Sequence, residues 1–313
     1  MATTTKKSTS RSKTNTSKAK SSTKQAASKK PTVKKVNSGT SVQKKTAKAS
    51  SVSKVKSFRA AEVTLHSLRS MNIAAVGLFV LLALLAGYLM SSASYMLTIG
   101  HVAKDDLASK TQTVFAPAVQ PVLDIEVRWM VVGILLLSAV FPILYLSKLK
   151  ERYAEYLNKT RIQPFRWIDF AITSALMTSV AAILSGVNDI ATLEILAGVV
   201  GISAVVAIIA ERQNNSSSKL VRSAFLTGAV TVLLPWLLIA MYATTTIVYG
   251  MVRSPWYVYA IYITLLVGVA LRWRNQRMHL KGANHIIVER NYIAITILTK
   301  AAFAIILIAG LAK

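Results

Sequence analysis

The chain lacks cysteine altogether, which excludes disulfides and thiolate metal sites. Its four histidines, His66, His101, His279 and His285, are scattered and lie outside the apolar runs, so no metal cluster is expected. Acidic residues are scarce: 12 Asp plus Glu stand against 38 Lys plus Arg, a formal net charge of +26. Up to Arg59 there are 17 Lys or Arg and no acid at all. That stretch, which includes KKSTSRSKTNTSKAKSSTKQAASKK, is also almost without apolar residues. It cannot bury enough surface to offset its chain entropy, so residues 1–66 read as a disordered basic tail.

Residues 67–313 are a different material. Seven apolar runs, at about 73–90, 130–146, 167–186, 190–210, 224–249, 256–273 and 292–311, are each long enough to cross a bilayer core. Such a crossing takes roughly 20 residues. The first run begins too far along the chain to be a signal-peptide core. The expectation is an all-α, polytopic seven-helix bundle.

Lys and Arg collect in cytoplasmic loops, so their distribution sets orientation. The N-terminal tail, the second loop (KLKERYAEYLNKTRIQPFR), the fourth (ERQNNSSSKLVR) and the sixth (RWRNQRMHLKGANHIIVER) are basic. The first loop is balanced, and the third and fifth are the short stretches GVND and VRSP. The N-terminus and even-numbered loops are therefore expected in the cytoplasm and the C-terminus outside. G-protein-coupled receptors and ordinary microbial rhodopsins have the opposite sense.

Ionisable groups inside membrane helices cost roughly 2.5 to 3.5 kcal/mol on insertion scales and are functional by default. Here they are nearly absent. Lys300, in ITILTKAAFAIILIAG, lies nine residues after Asn291, about 13 Å of helix rise into the seventh run. Asp169, in RWIDFAITSALM of the third run, is the one acid within an apolar run; Asp189, Glu194 and Glu211 sit at turns or flanks. Burial favours a neutral amine, which condenses with an aldehyde to a Schiff base. Once protonated, that cation needs a carboxylate. Structural pairing of Lys300 with Asp169 or with backbone carbonyls is the plainer alternative. Asp169 lies close to Arg166 and so reads as nearer the cytoplasmic face than Lys300.

With these residues in place, the chain resembles a heliorhodopsin, the retinal-binding family whose N-terminus faces the cytoplasm. The resemblance spans about 68–311. It rests on LRSMN in the first span, LLLSAVFPI with Ser138 and Ala139 in the second and RWIDFAITSALM in the third. IAERQN closes the fourth, GAVTVLLPWLLIAMY with Pro235 and Trp236 forms the fifth, and SPWYVYAIYITLL and YIAITILTK fall in the sixth and seventh. The resemblance implies all-trans retinal joined covalently to Lys300, with Asp169 as counterion where the family usually has Glu. It implies that Trp167, Phe170, Ser174 and Met177 line the chromophore. Trp236, Tyr259 and Tyr262 would sandwich the polyene, and Thr296 would sit beside the Schiff base. Phe79 and Pro142 stand where the family usually has histidines of a polar cluster near the retinal pocket, and the shorter counterion should alter colour. Trp256 and Tyr257 also read as an interfacial belt, Pro235 as a kink and Met177 as packing.

Beyond Asp169 the third span has no second ionisable residue, which argues against ion pumping. The expectation is a light sensor rather than an enzyme, in the plasma membrane, whose slow conformational change is read by a cytoplasmic signalling partner. The alternative is a transporter or channel that gates with Lys300 and Asp169; a membrane scaffold presenting the tail would need neither. TQTVF and PVLDIEV in the first outer loop would pair as a short β-hairpin, which in the family helps make a homodimer. The basic tail would bind anionic lipid headgroups, with nucleic acid the disfavoured reading and a bare topology signal the third.

Overall fold

The structure, a computed structural model, describes residues 43–105, 115–157, 163–213 and 218–313. The chain runs as α1 (Gln43–Leu89), β1 (Ser94–Lys104), β2 (Phe115–Glu126), α2 (Val127–Leu146) and α3 (Lys150–Glu155). It continues as α4 (Pro164–Leu184), α5 (Ile190–Gln213), α6 (Ser218–Gly250), α7 (Trp256–Leu280) and α8 (His285–Gly310). Seven helices are long and apolar enough to cross a membrane, the first over His66–Leu89; α3 is too short. Each apolar run thus becomes a helix, but several helices outlast their runs. The expected tail lies outside the described residues as far as position 42. From Gln43 its backbone is helical and continues into the first span, for the stretch holds no proline and no glycine before Gly77.

Helix α4 is the centre of the bundle: 72% of its most apolar window is buried, against 22–39% for the other six. Its small residues permit this. Val180, Ala181 and Ala182 are fully enclosed and join a core with Ala86, Val131, Ile261 and Phe303. The helix stops at Gly186, whose φ of 97° suits a residue without Cβ. The amide of Val187 then caps the Ala182 carbonyl at 3.0 Å, the pattern of a glycine-terminated helix. Next, Asp189 opens α5: its carboxylate accepts from the Thr192 amide at 2.7 Å and hydroxyl at 2.6 Å.

The two strands form one antiparallel pair from Ser94↔Glu126 to Lys104↔Phe115, with an irregularity at Leu97/Thr98. PVLDIEV does enter a strand, but its partner is SYMLTIGHVAK, which precedes the turn. Of TQTVF, Phe115 is a strand residue and the rest lies outside the described residues. Tyr95, Thr98, Ile99 and Val102, residue types that favour strands, lie along the pairing edge of β1. The hairpin docks on the α4–α5 turn, where the Thr98 amide donates to the Asn188 carbonyl at 2.8 Å.

Candidate functional site

Helices α4 and α8 bring Lys300 and Asp169 together. The Lys300 ammonium donates to Asp169 Oδ1 at 2.8 Å and Oδ2 at 3.1 Å. The lysine is 1% exposed and the aspartate 6%, so bulk solvent does not reach either. Thr173 donates to the Asp169 backbone carbonyl at 2.7 Å, one turn along. The depth gap between the two residues closes for a specific reason. Arg166 does not mark the membrane surface. It is 2% exposed, donates to Glu289 at 3.0 Å and is paired with Glu211. The start of α4 is therefore inside the bundle, and Asp169, though only the sixth residue of that helix, lies deep enough to meet the amine.

The ring of Phe79 on α1 stands 5.7 Å from the Lys300 nitrogen. Phe79 and Pro142 both line a cavity of about 40 Å³ that also touches Asn72, Ser138, Asp169 and Thr296. A water needs ~10–15 Å³ of such space. Phe79 and Pro142, at the positions where the resemblance implies histidines in the family, thus line the cavity beside the site with apolar groups. The Thr296 hydroxyl, one turn before Lys300, has no hydrogen-bond partner among the described residues.

The other candidate residues divide into two groups. Met177 is fully buried in the main core, against which Trp236 and Tyr262 pack. Those two rings meet edge to face at 6.2 Å, and the Tyr262 hydroxyl bonds Ser185. Trp167 and Phe170 belong to a second cluster with Val200, Ala204 and Val232 of α5 and α6. Ser174 accepts from Arg272 at 3.3 Å, and the Arg272 guanidinium lies 5.0 Å over Phe170. Tyr259 is not brought in. It is 41% exposed because the inward stripe of α7 runs through Val258, Ile261, Leu265 and Gly268, and its ring touches Tyr262 edge-on from outside. Trp256 is likewise outward, at 61% exposed.

Sequence reasoning placed Arg272 and Glu289 in a loop. In the structure α7 runs on to Leu280 and α8 starts at His285, and both residues are buried. Glu289 accepts from Arg166 and, at 3.2 Å, from the Tyr153 hydroxyl of α3. Burial first, and then the adjacent Glu289 carboxylate, hold the Tyr153 hydroxyl well above the usual tyrosine range, so it remains a donor. Tyr292 closes the network by donating to the Arg166 carbonyl at 3.0 Å. The available signal was spacing: Glu289, Tyr292, Thr296 and Lys300 fall on one helical face.

Seven membrane helices around a central lysine–carboxylate pair, as the described residues show, define a rhodopsin-type bundle. The heliorhodopsin family model matches residues 68–311, which is most of the chain. The protein belongs to the heliorhodopsin family, whose members are retinal-binding rhodopsins and not classical enzymes. No curated protein matches the chain significantly. The residues fit that cofactor: an enclosed amine, a carboxylate against it, the Phe79 ring beside it and, one turn away, a Thr296 hydroxyl with no partner among the described residues.

Proposed function

We propose that the protein is a light sensor, not an ion pump, with all-trans retinal held on Lys300 as a protonated Schiff base and Asp169 as its counterion. The observation that carries this reading is the 2.8 Å contact between the buried Lys300 nitrogen and the Asp169 carboxylate. When bound, retinal supplies visible absorption and a light-driven change of shape. Asp169 balances the positive charge that hydrocarbon disfavours. Phe79 supplies an apolar wall to that nitrogen on the α1 side. Met177, Trp236 and Tyr262 supply apolar walls on the other. A pump needs a second acid or base across the site. Beyond Asp169, α4 offers only hydroxyls, at Thr173, Ser174, Thr178 and Ser179.

Asp169 and Arg166 lie three residues apart on α4, so a change at the Lys300 nitrogen is felt by the Arg166–Glu211–Glu289 cluster and, through Tyr153, by α3. That end faces the cytoplasm in this reading, because the basic even-numbered loops lie there; the C-terminus is extracellular and the membrane is the plasma membrane. A cytoplasmic partner reads the change, and the basic tail holds anionic lipid nearby. The exposed apolar side chains Val102, Phe115, Val119 and Val122 of the hairpin form a homodimer face of the kind that monomers rarely leave open. Val102→Glu with Val119→Glu should convert a dimer to a monomer by light scattering.

All-trans retinal added to purified protein should produce a visible band, absent in Lys300→Met. Asp169→Asn should move the band to longer wavelength, because the carboxylate stabilises charge held at the nitrogen. A band that survives in Lys300→Met would sink this reading. Light-driven acidification or alkalinisation of a cell suspension would overturn the exclusion of pumping.

A further inference from the structure

At the end of the bundle where α1 and α2 leave the apolar layer, a cavity of about 410 Å³ opens between α1, α2 and α3. That size falls within the ~300–1,000 Å³ range of small-molecule sites; a single water or monatomic ion would leave most of it unfilled. Every ionisable wall residue except the tyrosines is basic: His66 and Arg69 from α1, and Lys150 from α3. No acid lines it, and none of the three basic residues forms an ion pair among the described residues. His66 and Arg69 are three residues apart, hence neighbours on one helix face. The level is informative. His66 begins the first membrane segment and Leu146, also in the wall, ends the second. Basic side chains at that height meet lipid phosphates, and basic pockets between membrane helices take anionic headgroups. Arg69 adds a planar fork matched to phosphate oxygens.

We propose that this cavity binds the headgroup phosphate of an anionic phospholipid, with Arg69 and Lys150 as its principal contacts and His66 beside them. Leu146 provides the apolar side from which an acyl chain enters. The ligand touches the buried network at one point, for Tyr153, in the same wall, donates to Glu289. This assignment stands apart from the retinal reading, since it needs neither Lys300 nor light.

The test is native mass spectrometry of the full chain in detergent, titrated with phosphatidylglycerol or phosphatidylcholine. The tail is common to all variants, so its own lipid binding cancels. Wild type should retain one more phosphatidylglycerol than Arg69→Gln/Lys150→Gln, with affinity at that site reduced about thirtyfold for the loss of two surface charges. Arg69→Lys/Lys150→Arg should keep it. Both side chains are exposed, and unchanged melting temperatures in lipid-free detergent will show that the variants fold. Equal retention by wild type and the glutamine variant would overturn the proposal, as would equal retention of the two lipids. Stabilisation of wild type by glycerol 3-phosphate as strong as by phosphatidylglycerol would reassign the cavity to a soluble phosphate and overturn the lipid assignment.

Discussion

Lys300 is held by its neighbours as much as by its partner. Thr299, the preceding residue, packs against Gly268 of α7 so closely that a Cβ there would lie 2.7 Å from the threonine methyl. Threonine is stiff about χ1, and its hydroxyl is already committed to the Ile295 carbonyl at 2.7 Å. Gly268→Ala must therefore push α7 and α8 apart beside the amine. Overpacking of this kind costs ~1–3 kcal/mol. The melting temperature should fall accordingly, and the visible band of the retinal-loaded protein should shift. Adding Thr299→Ala should recover most of both losses, since contacting residues couple. Additive losses in the double variant would mean that the two side chains do not meet.

Among the elements, α5 offers the cleanest handle. Asp189 caps it, and hydrogen bonds from the Thr192 hydroxyl and then the Thr192 amide hold the Asp189 carboxyl below the ordinary range. Asp189→Ala should cost about 1 kcal/mol. A carboxyl whose folded pKa is depressed stabilises fully above its unfolded value of about 3.9, and that contribution is lost as pH falls through the folded value. The advantage of wild type over Asp189→Ala, read from melting temperatures, should thus shrink in acid. Asp189→Asn caps equally well without titrating and should hold its advantage. At this scale much was legible in advance. Seven long apolar runs admit one reading, and a lysine or aspartate inside such a run is conspicuous. Arg166, Glu211, Arg272 and Glu289 were not legible as buried, because a charge within a turn of a run's end looks the same whether water or another helix covers it. Only the packing of α3 and the extra turns of α7 and α8 decide that. The hairpin was read on its second strand and missed on its first, since Ser94–Lys104 directly follows a membrane run and extends its apolar character. The outward place of Tyr259 was not legible, because the aromatic spacing of α7 does not reveal which stripe faces inward.

For the molecule as a whole, the unusual feature is where the charge is not. The surface and tail are strongly basic, yet the six formally charged Arg, Lys, Asp and Glu side chains buried among the described residues balance: Arg166, Arg272 and Lys300 against Asp169, Glu211 and Glu289. Each enters at a desolvation cost of several kcal/mol, so the set is tolerable only while it stays balanced. Arg166 is the hinge of that balance, because it faces two carboxylates at once. Arg166→Met would leave Glu211 and Glu289 enclosed without a cation, a change of ~3–5 kcal/mol for a broken buried pair. Melting should drop steeply. Replacing all three, as Arg166→Met/Glu211→Gln/Glu289→Gln, removes the charges together and should recover most of the stability, since well-packed neutral substitutes for buried ion pairs are often neutral or better. If the single and triple variants melt alike, Arg166 supports the bundle through packing on Trp167 and Tyr292, over which its guanidinium lies at 5.4 and 4.9 Å. If the triple variant recovers, charge balance is what lets α4 begin inside the bundle and so carry Asp169 to the depth of Lys300.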